Sequence, residues 1–196
     1  MLSPPGDAMT VYETARAKMI DCQLRPNKVT DERIIDAFAR IRRELFVPEH
    51  LRGVAYVDED LPLGKGRYLM EPMVAARLLQ AAMPDRKDTA LVVGANVGYE
   101  AALLALLARS VVALEEDAEL ARLGRAALVD HRIASVRVCA DADPAANSAA
   151  DAIARVAPAR SDRCFWHPLG CGIDPLKTQK LASEQNPEVA VSPRRR

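Results

Sequence analysis

The stretch LVVGANVGYEAALLALL, Leu91 to Leu107, limits the fold more than any other part of the chain. An apolar, β-branched run stops at Gly94, a loop closes at Gly98, and a run of strong helix formers follows. The pattern then repeats. SVVALEE, from Ser110, reads as a second buried strand, DAELARLGRAALVDH as a second helix, and ASVRV as a third strand. Strands alternating with helices require right-handed crossovers, and these make a doubly wound parallel sheet. The expected class is α/β.

In such a sheet, ligands bind beyond the carboxyl ends of the strands, which is where the Gly94–Gly98 loop lies. Glycine lets backbone approach a ligand closely and adopt positive φ. Asn96 stands where such loops often have a middle glycine; asparagine tolerates positive φ, so the turn is permitted, with an added side chain. Glu115 ends the second strand 21 residues after Gly94, the place from which a carboxylate accepts hydrogen bonds from the ribose hydroxyls of an adenosine. Its neighbours Glu116 and Asp117 no longer belong to the apolar run. A dinucleotide site calls for G-x-G-x-x-G, and the second and third glycines of that spacing are absent. An adenosine cofactor without phosphates, such as S-adenosylmethionine, fits better. The plainer alternative is a tight strand-to-helix turn with a surface acid behind it.

Before the sheet the chain is helical and charged. Val11 to Gln23 suits an amphipathic helix stopped by Pro26. Thr30 is the expected N-cap of a second helix, with Ile34, Phe38 and Ile41 on its buried face and FVP (Phe46 to Pro48) ending it. Arg40, Arg42, Arg43 and Glu44 are expected to point to water. Asp58, Glu59 and Asp60 read as a solvated acidic loop, not a metal site, because consecutive side chains do not converge on one ion. Pro72 opens a third helix, with Val74, Leu78 and Ala81 on one face.

Composition sets the remaining bounds. At 196 residues and 49 % hydrophobic, the chain is long enough for one cored domain. Its zero net charge gives no field for nucleic acid or an anionic membrane, and Arg194-Arg195-Arg196 reads as a solvated tail. The four cysteines lack zinc-site spacing, so no metal is expected. The start MLSPPGDAM lacks the basic and apolar regions of a signal peptide, and Ala101–Ala108 is too short to span a bilayer; a cytoplasmic protein is expected. Cys139 begins a change of texture. The segment after it holds six of the thirteen prolines and only five valines and isoleucines. A helix fits Ala145 to Val156, no buried strand is expected after it, and the last stretch reads as disordered. His50, His131 and His167 lack partners at catalytic spacing and read as surface or satisfied histidines.

RELFVP (Arg43 to Pro48), AYVDEDLPLGKG (Ala55 to Gly66), Glu71-Pro72 opening a helix, and VGANVGYEAALLA (Val93 to Ala105) together resemble the protein-L-isoaspartate O-methyltransferase family, in its divergent bacterial members. The resemblance runs from about Met9 to Val138. It implies a class I methyltransferase, Rossmann-like sheet and S-adenosyl-L-methionine as cofactor. It also implies transfer of a methyl to the carboxylate of an abnormal aspartyl residue in a protein or peptide, as a repair reaction. By position, Gly94, Ala95, Asn96 and Gly98 would line the cofactor, Glu115 would hold its ribose, and Asp141 would lie near its adenine. Gly66, Met70, Glu71 and Pro72 would form the substrate loop. No catalytic residue is assigned, and neither nucleic acid nor membrane is an expected partner.

Three departures qualify the resemblance. Where the family has a serine before the helix, this chain has Met70, which offers no hydrogen-bond donor, and Glu71 adds a charge that repels an anionic substrate. Val92 and Asn96 replace a carboxylate and the middle glycine of the loop. Beyond Val138 the pattern fades, as a frameshifted or truncated half-sheet would. The expected organisation is a helical and substrate-loop region at 9–83, a cofactor core at 84–143 and an atypical tail at 144–196. A three-stranded unit would leave an edge uncovered through which copies self-associate. Two other readings stand beside the methyltransferase: a weak or inactive remnant that at most binds the cofactor, and an NAD-dependent oxidoreductase.

Overall fold

The computed structural model describes residues 10–139 in full and the backbone of 140 and 163–166. Helix α1 (Val11–Met19) starts on a reciprocal cap: the Glu13 amide donates to Thr10 Oγ1 at 3.2 Å and the Thr10 amide to Glu13 Oε2 at 2.7 Å. A π-helical turn, Ile20–Leu24, continues it. Helix α2 (Glu32–Arg40) is capped by Asp31, not by Thr30. The Asp31 carboxylate takes the Arg33 amide at 2.9 Å, and Gln80 Oε1 accepts the amides of Thr30 (2.7 Å) and Asp31 (3.0 Å). Ile34, Phe38 and Ile41 are buried, as their spacing requires.

Helix α2 also ends earlier than FVP: Ile41 is already extended. The chain then turns inward through the 3-10 turn Arg43–Leu45, and this overturns the expectation for two charges. Arg43 and Glu44 are buried, while Arg40 and Arg42 are exposed. Buried charges persist only with partners. Arg43 donates to the carbonyls of Ala55 (2.7 Å) and Met70 (2.8 Å), and Glu44 accepts from Arg16 (3.3 Å) and from the Tyr56 hydroxyl.

A second 3-10 turn (Glu49–Val54) leads to the antiparallel hairpin β1 (Leu61–Gly64) and β2 (Arg67–Leu69). Helix α3 (Pro72–Ala82) follows, with Pro72 at its start as expected. Its buried face is Pro72, Ala75, Ala76 and Leu79, not Val74, Leu78 and Ala81; Leu78 and Ala81 are exposed. The small pair Ala75 and Ala76 lets α3 approach α2 and the Ile20–Leu24 turn, so alanines rather than large side chains choose the inner face.

The parallel sheet is built from β3 (Thr89–Val93), β4 (Ser110–Glu115), β5 (Val136–Ala140) and β6 (Arg163–Trp166), in the order β5-β4-β3-β6. Helices α4 (Tyr99–Ala105) and α5 (Ala118–Asp130) connect the first three. Where no buried strand is expected, beyond the 145–156 stretch, the sheet gains β6, which pairs Ala90 with Arg163 through Val93 with Trp166 and covers the β3 edge. Side chains alternate across the sheet. Ala90, Val92, Val111 and Ala113 join the core formed with the N-terminal helices, α4 and α5. Leu91, Val93, Val112, Leu114 and Cys139 form a second buried cluster. Asp141 and the helix expected over 145–156 lie outside the described residues, as does the tail except for β6. Among the described residues no helix is long and apolar enough to cross a membrane.

His131, at the end of α5, is satisfied as expected. Its Nε2 accepts the Arg42 amide at 2.9 Å, so Nδ1 carries the proton and donates to the Ala127 carbonyl at 2.8 Å. Phe46 lies against the ring, with centroids 5.1 Å apart. Burial, helped by Arg42, outweighs the Ala127 carbonyl, Glu44 and Asp130 and holds the imidazole below its ordinary pKa of 6.5. A folded pKa below the unfolded one means that the unfolded chain binds the proton more readily. The contribution is therefore complete above the unfolded value and is lost as pH falls through the folded one. Urea unfolding between about pH 7 and about pH 5 will show stability falling on the acid side, and His131→Gln will flatten part of that slope. An unchanged slope in the variant would refute the assignment.

Candidate functional site

The sheet reverses direction at one place. From β3 the chain winds to β4 and β5 on one side, and β6 lies on the other. Ligands of open α/β sheets bind at this switch point, beyond the carboxyl ends of the strands. The Gly94–Gly98 loop leaves β3 there. Gly94, Asn96 and Gly98 have φ of 67°, 50° and 80°, so Asn96 takes the left-handed conformation that its residue type tolerates. Gly98 is the N-cap of α4.

The backbone of this loop is tied to β4. The Ala95 amide donates to the Leu114 carbonyl at 3.0 Å, one step past the strand ladder, and the Asn96 amide donates to Glu115 Oε2 at 2.7 Å. Glu115 is wholly buried, so it is not a surface acid. Its Oε1 accepts the Asp117 amide at 2.9 Å and Arg67 Nη2 at 3.2 Å. Arg67 also donates to the half-exposed Glu116 at 2.7 Å. Asp117 caps α5 through the amides of Glu119 and Leu120 and pairs with Lys65 at 2.5 Å. The Lys65 hydrogen bond, with those amides, holds the Asp117 carboxyl below the usual range. The hairpin is thus joined to the carboxyl end of β4 at Lys65 and Arg67.

Asn96 adds a link to the same hairpin: its Nδ2 lies 3.3 Å from the Tyr68 carbonyl. Its Oδ1 is buried with no hydrogen-bond partner among the described residues. Such an orphan acceptor needs an explanation, and a bound group with a donor supplies one.

The structure therefore brings together Gly94, Ala95, Asn96, Gly98 and Glu115. Of the residues expected to form a substrate loop, Gly66 makes the hairpin turn, with φ of 71°. Met70 is buried and engaged through its carbonyl by Arg43. Glu71 precedes α3, its amide donating to Asp60 at 2.8 Å. Burial, then the nearby Asp58 and Asp60, push the Glu71 carboxyl up. Asp58, Glu59 and Asp60 are exposed, and no group of acids, histidines or cysteines that could hold a metal ion occurs among the described residues. Asp141 is not among them.

Sequence reasoning missed two residues. Arg67 is buried while Tyr68 is exposed and Leu69 buried, so the period of two marked Arg67 as inward. Gly124 was signalled by a lone glycine inside a helical run. A Cβ there would lie 3.1 Å from the carbonyl carbon and oxygen of Val97, so any side chain would press α5 away from the loop by a few tenths of an ångström.

This sheet order, with a glycine-flanked loop at the switch point and a buried carboxylate ending the next strand, defines a class I methyltransferase fold. The solved structures agree. A protein-L-isoaspartate O-methyltransferase aligns with a TM-score of 0.55 at 22 % identity over 64 % of this chain and 41 % of its own. A putative one from Plasmodium falciparum, solved with S-adenosyl-L-homocysteine, aligns at 0.54 and 14 % over 66 % and 62 %. The family model for protein-L-isoaspartate(D-aspartate) O-methyltransferase (PCMT) matches residues 14–154, and the chain belongs to that family. Among its relatives, the protein-L-isoaspartate O-methyltransferase of Koribacter versatilis is 44 % identical over 117 residues, covering 60 % of this chain and 53 % of the relative. That of Aeropyrum pernix is 42 % identical over 117 residues, covering 58 % and 45 %. The chain spans about half the length of these relatives.

Gly124→Val will force α5 off the loop. The expected loss is about 1–3 kcal/mol in urea unfolding. Leu123→Ala, on the exposed side of the same helix, should stay within about 0.5 kcal/mol of the parent.

Proposed function

We propose that this chain binds S-adenosyl-L-methionine at the Gly94–Gly98 loop and directs its methyl to the carboxylate of an abnormal aspartyl residue in a protein or peptide. The observation that carries the reading is the Asn96 amide donating to buried Glu115, which makes loop and carboxylate one site. Membership of the family favours the same reading.

The residues present fit such a cofactor. Glu115 offers a carboxylate acceptor for ribose hydroxyls, and Asn96 Oδ1 offers a second acceptor. The loop spacing lacks the glycines of a pyrophosphate cradle, which argues against a dinucleotide. When bound, S-adenosylmethionine supplies an electrophilic methyl on a sulfonium, with a neutral thioether as leaving group. A substrate carboxylate is already a competent nucleophile, so no residue of this chain has to remove a proton. The protein's work is to orient the two groups in line and exclude water.

The acceptor side carries the less favourable residues in this reading. Met70 contributes a carbonyl that is already engaged and a side chain without a donor. Glu71, beside Asp58 and Asp60, sets negative charge against an anionic substrate.

Calorimetry with S-adenosylmethionine, S-adenosylhomocysteine and NAD tests the cofactor. Binding of the first two and not the third is expected; binding of NAD alone, or of none, would overturn the reading. Methyl transfer to an isoaspartyl peptide tests the acceptor. Glu71→Gln should lower KM for that peptide by about three- to tenfold, with little change in cofactor affinity.

A further inference from the structure

Glu115 is nearly full. An ionised carboxylate has about four acceptor positions. Three are taken, by the Asn96 amide on Oε2 and by the Asp117 amide and Arg67 Nη2 on Oε1. A ribose diol that donates through both hydroxyls needs two. One of the three donors must therefore leave.

The backbone decides which. The Asn96 amide is fixed within a loop whose neighbouring Ala95 amide is bonded to β4. The Asp117 amide belongs to the residue that caps α5. Arg67 is the movable donor. Its bond to Glu115 is the longest of the three at 3.2 Å, and it already holds Glu116 at 2.7 Å. On release from Glu115 it keeps a charged partner on a half-exposed side chain.

We propose that Arg67 is a latch that occupies the ribose position of Glu115 until the cofactor displaces it. The proposal rests on the cofactor reading above. Displacement acts on the acceptor side, because Arg67 begins β2 and the chain runs directly from there to Met70 and Glu71. Cofactor binding and hairpin position are thereby coupled, and the coupling is reciprocal: whatever loosens the hairpin tightens the cofactor. Lys65 on Asp117 is the second tie of the same hairpin and limits how far it moves.

The test uses the full chain and S-adenosylhomocysteine, with its analogue lacking the 2′ and 3′ hydroxyls as control. Arg67→Met should bind S-adenosylhomocysteine about tenfold more tightly than the parent, the size expected for freeing one charge-assisted bond. The analogue should not share the gain. Glu116→Gln should act in the opposite direction, because it removes the place to which Arg67 retreats, and it serves as the second variant if Arg67→Met fails to fold. Amide exchange in residues 61–69 of the parent should quicken on binding. If both proteins bind S-adenosylhomocysteine and Arg67→Met is no tighter, the latch is wrong and the cofactor reading stands. If neither binds, the cofactor reading fails and the latch with it.

Discussion

The guanidinium of Arg43 holds the N-terminal half of the molecule to the site. It has no exposure, donates to the carbonyls of Ala55 and Met70, and lies over the Tyr99 ring at 4.9 Å. Those three groups belong to the turn before the hairpin, the residue after β2 and the first turn of α4. Without Arg43, two carbonyls would be left without these bonds, at about 1–3 kcal/mol each for any that stays buried and unpaired. A lysine would not replace it, because one ammonium cannot present a planar fork to two carbonyls while stacking on a ring. The inward turn after α2 follows from this: the chain must leave the helix at Ile41 for residue 43 to reach the interior.

Glu44 enters the core for the same reason and needs its own partners. Arg16 from α1 and the Tyr56 hydroxyl supply them, and Arg16 also donates to Tyr56 at 2.8 Å. The first helix is thus fastened to the turns between α2 and the hairpin by a buried polar set rather than by apolar packing alone. Glu115 plays the corresponding part in the sheet, joining the β3 loop, the start of α5 and the hairpin through one carboxylate. The two sets meet at the hairpin and the residues after it: Arg43 grips the Met70 carbonyl, and Arg67 reaches Glu115.

Much of this was legible in the sequence, and the reason is periodicity. β3 to β5 and their helices have apolar runs separated by loops with clear glycine or cap signals, and they fall where expected. Glu115 was identified by its place at the end of such a run. Alternation also contained Arg67, since Leu69 lies two residues away on the inner side. Other features carried no such mark. Arg43 and Glu44 look like any exposed helix end, because charge is ordinarily solvated and their partners are distant in sequence. The face of α3 was misread because large apolar residues outweighed Ala75 and Ala76 in the pattern, whereas close packing selected the alanines. Asp31 and Thr30 are adjacent candidate caps, and only the fold shows that the Asp31 carboxylate takes the Arg33 amide while Gln80, distant in sequence, accepts the amides of both. Strand β6 lies in proline-rich surroundings, and only its pairing with β3 reveals it.

The departures from the family pattern sort by side of the site. Asn96 keeps the left-handed turn that a glycine would make, and Val92 lies in the buried face of β3, where an apolar side chain packs well. Neither disturbs the contact between loop and Glu115. Gly98, at a φ of 80° that side chains rarely adopt, and Gly124, where an added Cβ would press on the loop, are glycines. Met70 and Glu71 would lie on the acceptor side in the proposed function, and there the residue types differ from the pattern: a hydroxyl donor is missing and a charge is added. Under the proposed function the two sides can be read apart: cofactor affinity reports on the loop and Glu115, and the KM for a carboxylate acceptor reports on Met70 and Glu71.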